Sequence, residues 1–394
     1  MTYTGPIDRI EALRGEMQDW RRDFHAHPEI AYEEVRTSGI VAEKLAAWGI
    51  EVHTGLAGTG VVGTVRGRRP GNRAIALRAD MDALPMTEAN TFGHRSQNEG
   101  RMHGCGHDGH TAMLLGAARA LAEAPDFAGT VHLIFQPAEE GAAGARRMIE
   151  DGLFERFPVE SVWGLHNWPG VEVGRFDVRP GPILAATDSF QITLTGQGTH
   201  AAMPHLGSDV VVAAGALVGA LQTVVSRALD PVDAGVISVT TLHGGEAFNV
   251  LPSTMVLGGT ARALSETVRD TLEERMGAVV HHIAAAHGVQ ANLDYERGYP
   301  PTVNSAAETD LAVEVMRSIV GPDRVEADGR PCLGGEDFAF MLRERPGCYA
   351  RIGAGVDRRG LHNPEYDFND EILTLGATYW IRLVERLLGD GAAA

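Results

Sequence analysis

The sequence is poor in cysteine, with only Cys105, Cys332 and Cys348 among 394 residues. Three cysteines so far apart exclude the disulfide framework that holds small secreted proteins together. They agree with a reducing compartment, in which Cys105 can remain a thiolate that is available to a metal ion. We therefore expect a cytoplasmic protein.

Positive charge is also scarce. The chain has 34 Lys and Arg residues against 52 Asp and Glu, which gives a formal net charge of −18. This balance argues against nucleic acid or an anionic membrane as a partner, although a local basic pocket could still bind an anion. We expect neither nucleic acid nor a membrane among its partners.

Long apolar runs are missing too, because no stretch reaches the roughly 18 uninterrupted apolar residues of a membrane span. The N-terminal residues Met1–Pro6 contain no basic segment followed by an apolar run, so we expect no signal peptide. Hydrophobic residues make up 44% of the chain, as in globular proteins. The length suits one large domain and one smaller domain.

The densest group of reactive side chains lies in Met102–His110, where three histidines, a cysteine and an aspartate alternate with glycines. Thiolate and imidazole are soft and borderline metal ligands, and the glycines let the backbone fold tightly. A structural zinc site would need a second close pair of Cys or His residues, and none follows. The stretch therefore provides half of a metal site, and the other ligands come from elsewhere in the chain.

Acidic and histidine residues stand at the ends of three predicted strands. They are Asp80 and Asp82 after Arg73–Leu77, Glu139 and Glu140 after Thr130–Phe135, and His166 after Ser161–Leu165. If these strands share a sheet, their ends converge with Cys105 and His107 on one crevice. His362, in a polar loop near the C-terminus, is a further candidate ligand.

A different pattern begins after Pro180–Pro182. The predicted elements are the strand Ser189–Thr195, the helix Ser208–Ala228, the strands Val236–Leu242 and Met255–Ala261, the helix Ser265–His287 and the strand Val289–Tyr295. This β-α-β-β-α-β order is the split-βαβ, ferredoxin-like pattern, and it suits an inserted domain. The sequence thus predicts an α/β protein with a discontinuous domain, residues 1–186 and 298–394, and an inserted domain, residues 187–297.

Seven motifs together resemble the M20 family of metallopeptidases and amidohydrolases, in particular its N-acyl-amino-acid, hippurate and auxin-conjugate hydrolases. In family order along nearly the whole chain they are His25–Glu29, Arg78–Pro85, His103–His110, Gln136–Gly141, Leu165–Asn167, Gly335–Phe338 and Leu361–Pro364. The resemblance implies a mixed-sheet catalytic domain of the di-metal exopeptidase type. It also implies that the inserted domain is a lid through which the protein forms a homodimer.

The same resemblance implies a centre for two divalent ions. Its ligands would be Cys105, His107, Glu140, His166 and His362. Glu139 would be the general base, and Asp82 would orient a ligand imidazole. Asp80 stands where the wider family has a histidine ligand, so zinc, manganese and cobalt all remain open.

Three residues of the inserted domain match family positions that contact substrate. His200 resembles a histidine that reaches the active site of the partner subunit and stabilises the oxyanion. Asn249 and Arg262 match substrate-binding positions, with Arg262 as a fork for the α-carboxylate of the amino acid.

Each of these residues, considered alone, has a simpler interpretation. Cys105 could be a small buried hydrophobe, and Asp82 could cap the turn before Pro85. Glu139 and Glu140 could begin a solvated helix, and His200 could pack at an interface. The combination of Cys105, His107 and the strand-end carboxylates favours the metal site over these alternatives.

The sequence therefore predicts a metal-dependent amidohydrolase that splits an N-acyl amino acid, such as an N-acetyl or N-benzoyl one, into a carboxylic acid and a free amino acid. A dipeptidase or carboxypeptidase of the same family is the first alternative, because pocket shape decides the substrate. A catalytically silent metal-binding homologue is the second.

Overall fold

A computed structural model describes residues 4–389 of the chain. Its helices are α1 Asp8–Glu11, α2 Arg14–Ala26, α3 Val35–Ala47, α4 His107–Glu123, α5 Gly144–Glu150, α6 Leu153–Arg156, α7 Val210–Thr223, α8 Glu266–Ala286, α9 Ala306–Val320, α10 Phe338–Glu344 and α11 Leu373–Leu388. Its strands are β1 Glu51–Leu56, β2 Gly60–Arg66, β3 Arg69–Asp80, β4 Ala128–Gln136, β5 Ser161–Pro169, β6 Phe176–Asp177, β7 Gly181–Leu184, β8 Ala186–Thr195, β9 Thr199–His200, β10 Gly235–His243, β11 Val250–Leu251, β12 Thr254–Ala263, β13 Gln290–Arg297, β14 Thr302–Asn304, β15 Val325–Glu326 and β16 Gly347–Gly355.

The chain divides into two compact units. Within the described residues, the first unit comprises the chain up to Ile183, Val303–Arg330 and the chain from Asp337 onwards. The second unit comprises Leu184–Thr302 and Pro331–Glu336. The sequence places the inserted domain at 187–297, so the second unit is a few residues longer at both ends and includes a short later segment.

An eight-stranded mixed sheet forms the centre of the first unit, in the order β1-β2-β4-β3-β5-β16-β6-β15. Its four middle strands, β4, β3, β5 and β16, are parallel to one another. The carboxyl ends of parallel strands lie at one edge of the sheet. The side chains that follow β3 and β4, and those in the last part of β5, therefore meet at this edge. The predicted α/β class with a mixed sheet is confirmed.

Helix α4 supports this edge from within the core. Every residue from His107 to Ala118 is buried, and the helix packs against α2, α11 and β3. Its middle part, Ala112–Ala118, is apolar on all sides, and such a helix is stable inside a protein core. The first residue of α4 is His107, so the core fixes the position of a predicted ligand.

Buried ion pairs join α2 to the start of α4. His25 Nδ1 lies 2.8 Å from Asp108 Oδ2, and His25 Nε2 lies 3.1 Å from Glu88 Oε1. Burial lowers the pKa of His25, but its hydrogen bonds to these two carboxylates outweigh burial and raise the pKa to about 9. The charged ring therefore balances Asp108, the residue that follows His107.

The second unit is built on an antiparallel sheet in the order β10-β12-β8-β13, which packs against α7 and α8. The chain order β8-α7-β10-β12-α8-β13 is the β-α-β-β-α-β order that the sequence predicts. A buried ion pair between Asp188 of β8 and Arg269 of α8, 2.6 Å apart, joins the sheet to a helix.

The helical stretch Val210–Ala228 is long and apolar enough to cross a membrane by length and composition alone, with a mean hydropathy of 1.6. Core helices pass the same test. Here Ala213, Leu217 and Leu221 are buried in the core of the second unit. The apolar character of this stretch is therefore explained in part by its packing on the sheet.

Candidate metal centre

A glycine with a left-handed backbone separates the first two predicted ligands. Gly106 has φ +98°, and a Cβ at this position would lie 2.3 Å from Asn167 Nδ2. Only glycine fits such a backbone and such a close approach. The sharp turn places Cys105 before the helix and His107 at its first position.

Cys105, His107 and His166 form one group of potential ligands. Their ligand atoms all lie within 4.8 Å of one another, and all three residues are buried. The Cys105 Sγ atom is 3.5 Å from His166 Nε2. Such a thiolate and two imidazoles are the donors of many zinc sites.

Cys105, Glu140 and His362 form a second group with the same spacing. The His362 Nε2 atom lies 3.3 Å from Glu140 Oε1. The His362 side chain is 54% exposed, whereas the other members are largely buried, so this group faces solvent on one side. Because both groups include Cys105, the five residues offer donors for two neighbouring ions.

Two buried atoms of these groups are left without a hydrogen bond. Within residues 4–389, neither His107 Nε2 nor Glu140 Oε1 has a hydrogen bond of good geometry, although His362 Nε2 lies 3.3 Å from Glu140 Oε1; His107 Nε2 and Glu140 Oε1 lie 4.0 Å apart. Buried polar atoms are almost always satisfied, and the exceptions require an explanation. A cation between a neutral imidazole nitrogen and a carboxylate oxygen satisfies both atoms, so the residues fit a divalent metal.

The electrostatics of the crevice also favour a cation. Burial raises the pKa of the Cys105 thiol well above its usual range, and the carboxylates of Glu140 and Glu139 raise it further. Burial lowers the pKa of His107, but Asp80 and Asp82 overcome this effect and raise it to about 10. The surplus of negative charge around these residues is what a divalent ion would neutralise, and the ion would also stabilise the Cys105 thiolate.

Neighbouring groups orient the ligand imidazoles. His107 Nδ1 lies 2.9 Å from the Asp82 carbonyl oxygen and 3.2 Å from Asp82 Oδ1. His166 Nδ1 lies 2.6 Å from the Asn167 carbonyl oxygen. A nitrogen that faces an acceptor keeps its proton, so each ring has only Nε2 to offer to a cation, which at His107 would take the place of the second proton.

Asp82 also fixes the second ligand group, because its Oδ2 accepts a hydrogen bond from the Glu140 backbone N–H at 2.9 Å. Its carboxylate thus holds the imidazole of His107 with one oxygen and the chain at Glu140 with the other. The structure gives Asp82 contacts that suit the orienting role expected from the sequence.

Asp80, His107 and His110 form a third close group, but its side chains are already engaged. His110 Nδ1 lies 2.6 Å from Asp80 Oδ1, and His110 Nε2 accepts from the Asn167 N–H at 3.0 Å. Asp80 Oδ2 accepts from Arg78 at 2.7 Å. Both oxygens of Asp80 and both ring nitrogens of His110 therefore already have hydrogen-bond partners, and the two residues form a hydrogen-bonded support beside His107.

Glu139 lies beside the ligands without belonging to the two groups that contain Cys105. Its carboxylate oxygen is within 4.8 Å of donor atoms of His107 and Glu140. Its Oε1 accepts a long hydrogen bond, 3.4 Å, from the Asp337 backbone N–H. The Asp337 side chain is in turn held by Gln136 and by Ala145 N–H, at 2.8 Å each. A buried, oriented carboxylate next to a metal centre has the geometry of a general base.

The remaining predicted site residues lie in the second unit. His200 of β9 pairs with Val250 of β11, and the Ala201 N–H donates to the Asn249 carbonyl oxygen at 2.9 Å. His200 and Asn249 both line a cavity of about 930 Å³ in this unit, together with His243. The structure thus brings His200 and Asn249 close together.

Arg262 occupies a different place in the second unit. It lies on β12, and its guanidinium donates to the backbone oxygens of Ala261 at 2.9 Å and Asp188 at 3.4 Å. It is not among the residues that line the cavity next to His200. Its predicted contact with a substrate carboxylate would require these weak backbone contacts to be exchanged.

Comparison with known proteins identifies the family. Residues 76–386 match the model of peptidase family M20/M25/M40. The chain belongs to this family. The predicted M20 resemblance is thereby confirmed.

Curated relatives of this M20 protein extend over almost its whole length. The hippurate hydrolase of Campylobacter jejuni is 38% identical over 97% of this chain and 99% of the relative. The N-acetyl-L-cysteine deacetylase of Bacillus subtilis is 38% identical over 96% of this chain and 89% of the relative. Thermostable carboxypeptidase 2 of Saccharolobus solfataricus is also 38% identical, over 94% of this chain and 97% of the relative.

A solved structure shares the fold. The YXEP protein of Bacillus subtilis, described as a dinuclear metal binding peptidase from the M20 family, superimposes with a TM-score of 0.84 at 33% identity. The match covers 96% of this chain and 99% of that chain. The M20 protein described here therefore has the fold of a dinuclear metal-binding peptidase.

Sequence reasoning missed several residues that support the centre. The sequence prediction includes Asn167 only as part of a motif, although its N–H donates to His110 and its side chain donates to the Cys105 carbonyl oxygen at 2.7 Å. It does not include Glu34. A charged residue such as Arg78 within an apolar strand was an available signal, because a buried charge requires buried partners.

Proposed function

We propose that this M20 hydrolase cleaves N-acyl amino acids to a carboxylic acid and a free amino acid. The observation that carries the proposal is the position of the Glu139 carboxylate beside the ligand groups of Cys105, His107, Glu140, His166 and His362. The relatives named hippurate hydrolase and N-acetyl-L-cysteine deacetylase support an acyl amino acid as the substrate.

Cys105, His107, Glu140, His166 and His362 would hold two divalent ions. When bound, the ions supply a Lewis acid for the amide carbonyl and lower the pKa of the attacking water. Zinc, manganese and cobalt remain the candidates; the Cys105 thiolate favours zinc or cobalt, because thiolates select softer metals.

Glu139 would move the proton during the reaction. Its carboxylate takes a proton from the attacking water while the water oxygen bonds to the amide carbon. The same carboxyl group then gives this proton to the amide nitrogen as the carbon–nitrogen bond breaks. The hydrogen bond from the Asp337 N–H to Glu139 Oε1 would help to orient the carboxylate for this transfer.

His200, Asn249 and Arg262 are proposed to bind the substrate. His200 Nδ1 accepts from the Ala202 N–H at 3.1 Å, which leaves Nε2 to donate to an oxyanion. Asn249 lies beside it, and Arg262 would bind the amino-acid carboxylate.

A carboxypeptidase is the second candidate function. It is supported by the similarity to thermostable carboxypeptidase 2 over nearly the whole chain. The chemistry at Glu139 would be the same, because a peptide bond is an amide bond, and only the group on the acyl side would differ.

The second unit is proposed to act as the lid and to form a homodimer. It exposes several large apolar side chains, namely Leu206, Val211, Val212, Phe248 and Val250. Apolar surface of this kind favours burial against a partner. Light scattering should give twice the chain mass of 42.1 kDa, and a monomer mass over a range of concentrations would contradict the dimer.

The proposed location is the cytoplasm. It is supported by free thiols at Cys105, Cys332 and Cys348, which a reducing compartment preserves. Fractionation of the source cells would test this proposal, and recovery with secreted proteins would contradict it.

A substrate panel tests the function. Protein reconstituted with zinc, manganese or cobalt should release amino acids from N-acetyl or N-benzoyl amino acids, and chelation followed by dialysis should abolish release. Return of the metal should restore it, because the ligands themselves are unchanged. Faster release from dipeptides would favour the peptidase. Bound metal without turnover of any amide would favour a silent homologue.

A further inference from the structure

The loop that carries Glu139 and Glu140 has an unusual backbone. Ala138 has φ +57° and Ala143 has φ +56°, and neither is glycine. A Cβ atom makes the left-handed region unfavourable, so such residues persist only where their surroundings hold them. The two residues flank the carboxylates of the proposed centre, which means that the loop needs external support.

One short segment, Tyr32–Glu34 before α3, contacts both ends of this loop. Glu34 Oε1 accepts a hydrogen bond from the Ala138 N–H at 2.9 Å. The Tyr32 hydroxyl donates to the Ala142 carbonyl oxygen at 2.7 Å. Tyr32 and Glu34 are linked in turn, because the Tyr32 N–H donates to Glu34 Oε1 at 3.1 Å.

Glu34 is buried without a cation. Its side chain is 0% exposed, and all the hydrogen bonds that reach it in the described chain come from neutral donors. The third of them is Thr59, whose hydroxyl donates to Glu34 Oε2 at 2.7 Å. Burial raises the pKa of Glu34 to about 7. Burying a carboxylate costs free energy, and the three hydrogen bonds from Tyr32, Thr59 and Ala138 offset part of this cost.

We propose that Glu34 is a positioning residue for Glu139 and Glu140. Its carboxylate holds the amide of Ala138, and Asp82 holds the amide of Glu140 at 2.9 Å, so two buried carboxylates fix the chain on either side of Glu139. The inference deepens the proposed function, because it depends on Glu139 acting as the base and Glu140 as a ligand.

Two substitutions of similar size separate the effect of side-chain length from the effect of negative charge. Glu34→Gln keeps an oxygen for the Ala138 N–H and turns its amide nitrogen towards the Thr59 hydroxyl, which can accept as well as donate. Glu34→Asp keeps the charge but withdraws the carboxylate by about 1.5 Å, one carbon–carbon bond. If Glu34 positions the loop by hydrogen bonding, the Gln variant should keep its kcat and Co²⁺ affinity and the Asp variant should lose them.

The measurements are kcat and KM on the best N-acyl amino acid, and the affinity of metal-free protein for Co²⁺, titrated by its visible absorption. For Glu34→Asp we expect kcat to fall by about 10- to 100-fold with little change in KM. We expect its Co²⁺ affinity to fall by about 10-fold. For Glu34→Gln both should stay within about threefold of the wild type.

The matched control is Glu29→Asp, in the same N-terminal segment. The Glu29 carboxylate accepts from the Arg36 and Thr37 N–H groups at 2.9 and 2.8 Å and so caps α3. Among residues 4–389, its carboxylate has no hydrogen bond to the Ala138–Ala143 loop. This variant should lower the stability of the fold but leave kcat and Co²⁺ affinity unchanged.

Two results would overturn the inference. Wild-type kcat and Co²⁺ affinity in Glu34→Asp would show that the loop does not need Glu34. Equal losses in the Gln and Asp variants would show that the negative charge is needed as well as the side-chain length, so that hydrogen bonding alone does not explain the role of Glu34. If the wild type hydrolyses no N-acyl amino acid, the proposed function fails, but the Co²⁺ titration still decides whether Glu34 holds the ligand loop.

Discussion

Glu139→Gln is expected to lower kcat by about 10³-fold, within the range that a lost general base produces, while both ions stay bound. The amide has the same shape as the carboxyl group and can still accept the hydrogen bond from Asp337 N–H, but it cannot take a proton from water. KM should change little, because the effect falls on the transition state. The assay is amino-acid release at saturating substrate, with metal content determined by elemental analysis on the same sample.

The matched control for Glu139 is Glu150→Gln on α5, a carboxylate that is 57% exposed. It should leave both kcat and metal content unchanged, since exposed charges contribute little. If Glu139→Gln were as fast as the wild type with its metal in place, Glu139 would not be the base. A slow variant that had lost metal would instead make Glu139 part of the ligand set.

Cys105→Ala is expected to have the second large effect, a fall in metal affinity of more than about 100-fold. This exceeds the 10- to 100-fold loss that follows removal of a supporting group, because in the proposed centre Cys105 would donate directly to the ions. Cys105 belongs to both ligand groups, so the affinity for both ions should suffer together. Competition with a chromogenic chelator would measure the affinities, and hydrolysis should disappear at micromolar metal.

Cys348→Ala provides the control for the loss of a buried thiol. Cys348 is fully buried on β16 and belongs to none of the ligand groups among residues 4–389. The substitution should lower the free energy of unfolding by about 1 to 2 kcal/mol through lost packing and leave metal affinity unchanged. Unchanged affinity in Cys105→Ala would remove the thiolate from the centre and leave imidazoles and carboxylates as its ligands.

Cys105→Ala and Glu139→Gln change different parts of the same crevice. Burial and the nearby carboxylates of Glu140 and Glu139 raise the pKa of the Cys105 thiol. A cation is therefore needed to stabilise its thiolate form. Glu139, by contrast, lies outside the two groups that contain Cys105 and is held by the Asp337 N–H. Metal affinity and kcat should therefore respond separately to the two substitutions, which makes them a test of the assigned roles.

Much of the fold follows from local patterns. The apolar runs that end at Leu77, Phe135 and Leu165 predict strands, and they lie in the buried parts of β3, β4 and β5, as is typical of a parallel sheet. The alternating strands and amphipathic helices of the second unit predict the β-α-β-β-α-β order of its elements. β1 was missed, because this edge strand is mostly exposed and lacks an apolar run.

The candidate site was harder to derive. The motifs around Cys105, His107 and Glu139 indicate that they are candidate site residues. The positions of the strand ends predict that they lie close together. The roles of Asp80 and His110 could not be predicted in this way. Both are residue types that bind metals, and only their 2.6 Å contact and the Asn167 N–H show that they are engaged elsewhere.

The sequence by itself determined the chemical groups of this protein: which donors it has, that they follow strands, and that a split-βαβ segment interrupts the main domain. These features depend on residue type and local period, which a single chain displays directly. Only the tertiary structure decided which nitrogen of His107 is left unsatisfied, that Glu34 holds Ala138, and that Arg262 bonds to backbone. Each of these depends on distances of a few ångströms between residues that packing brings together from distant parts of the chain, and no local pattern fixes such distances.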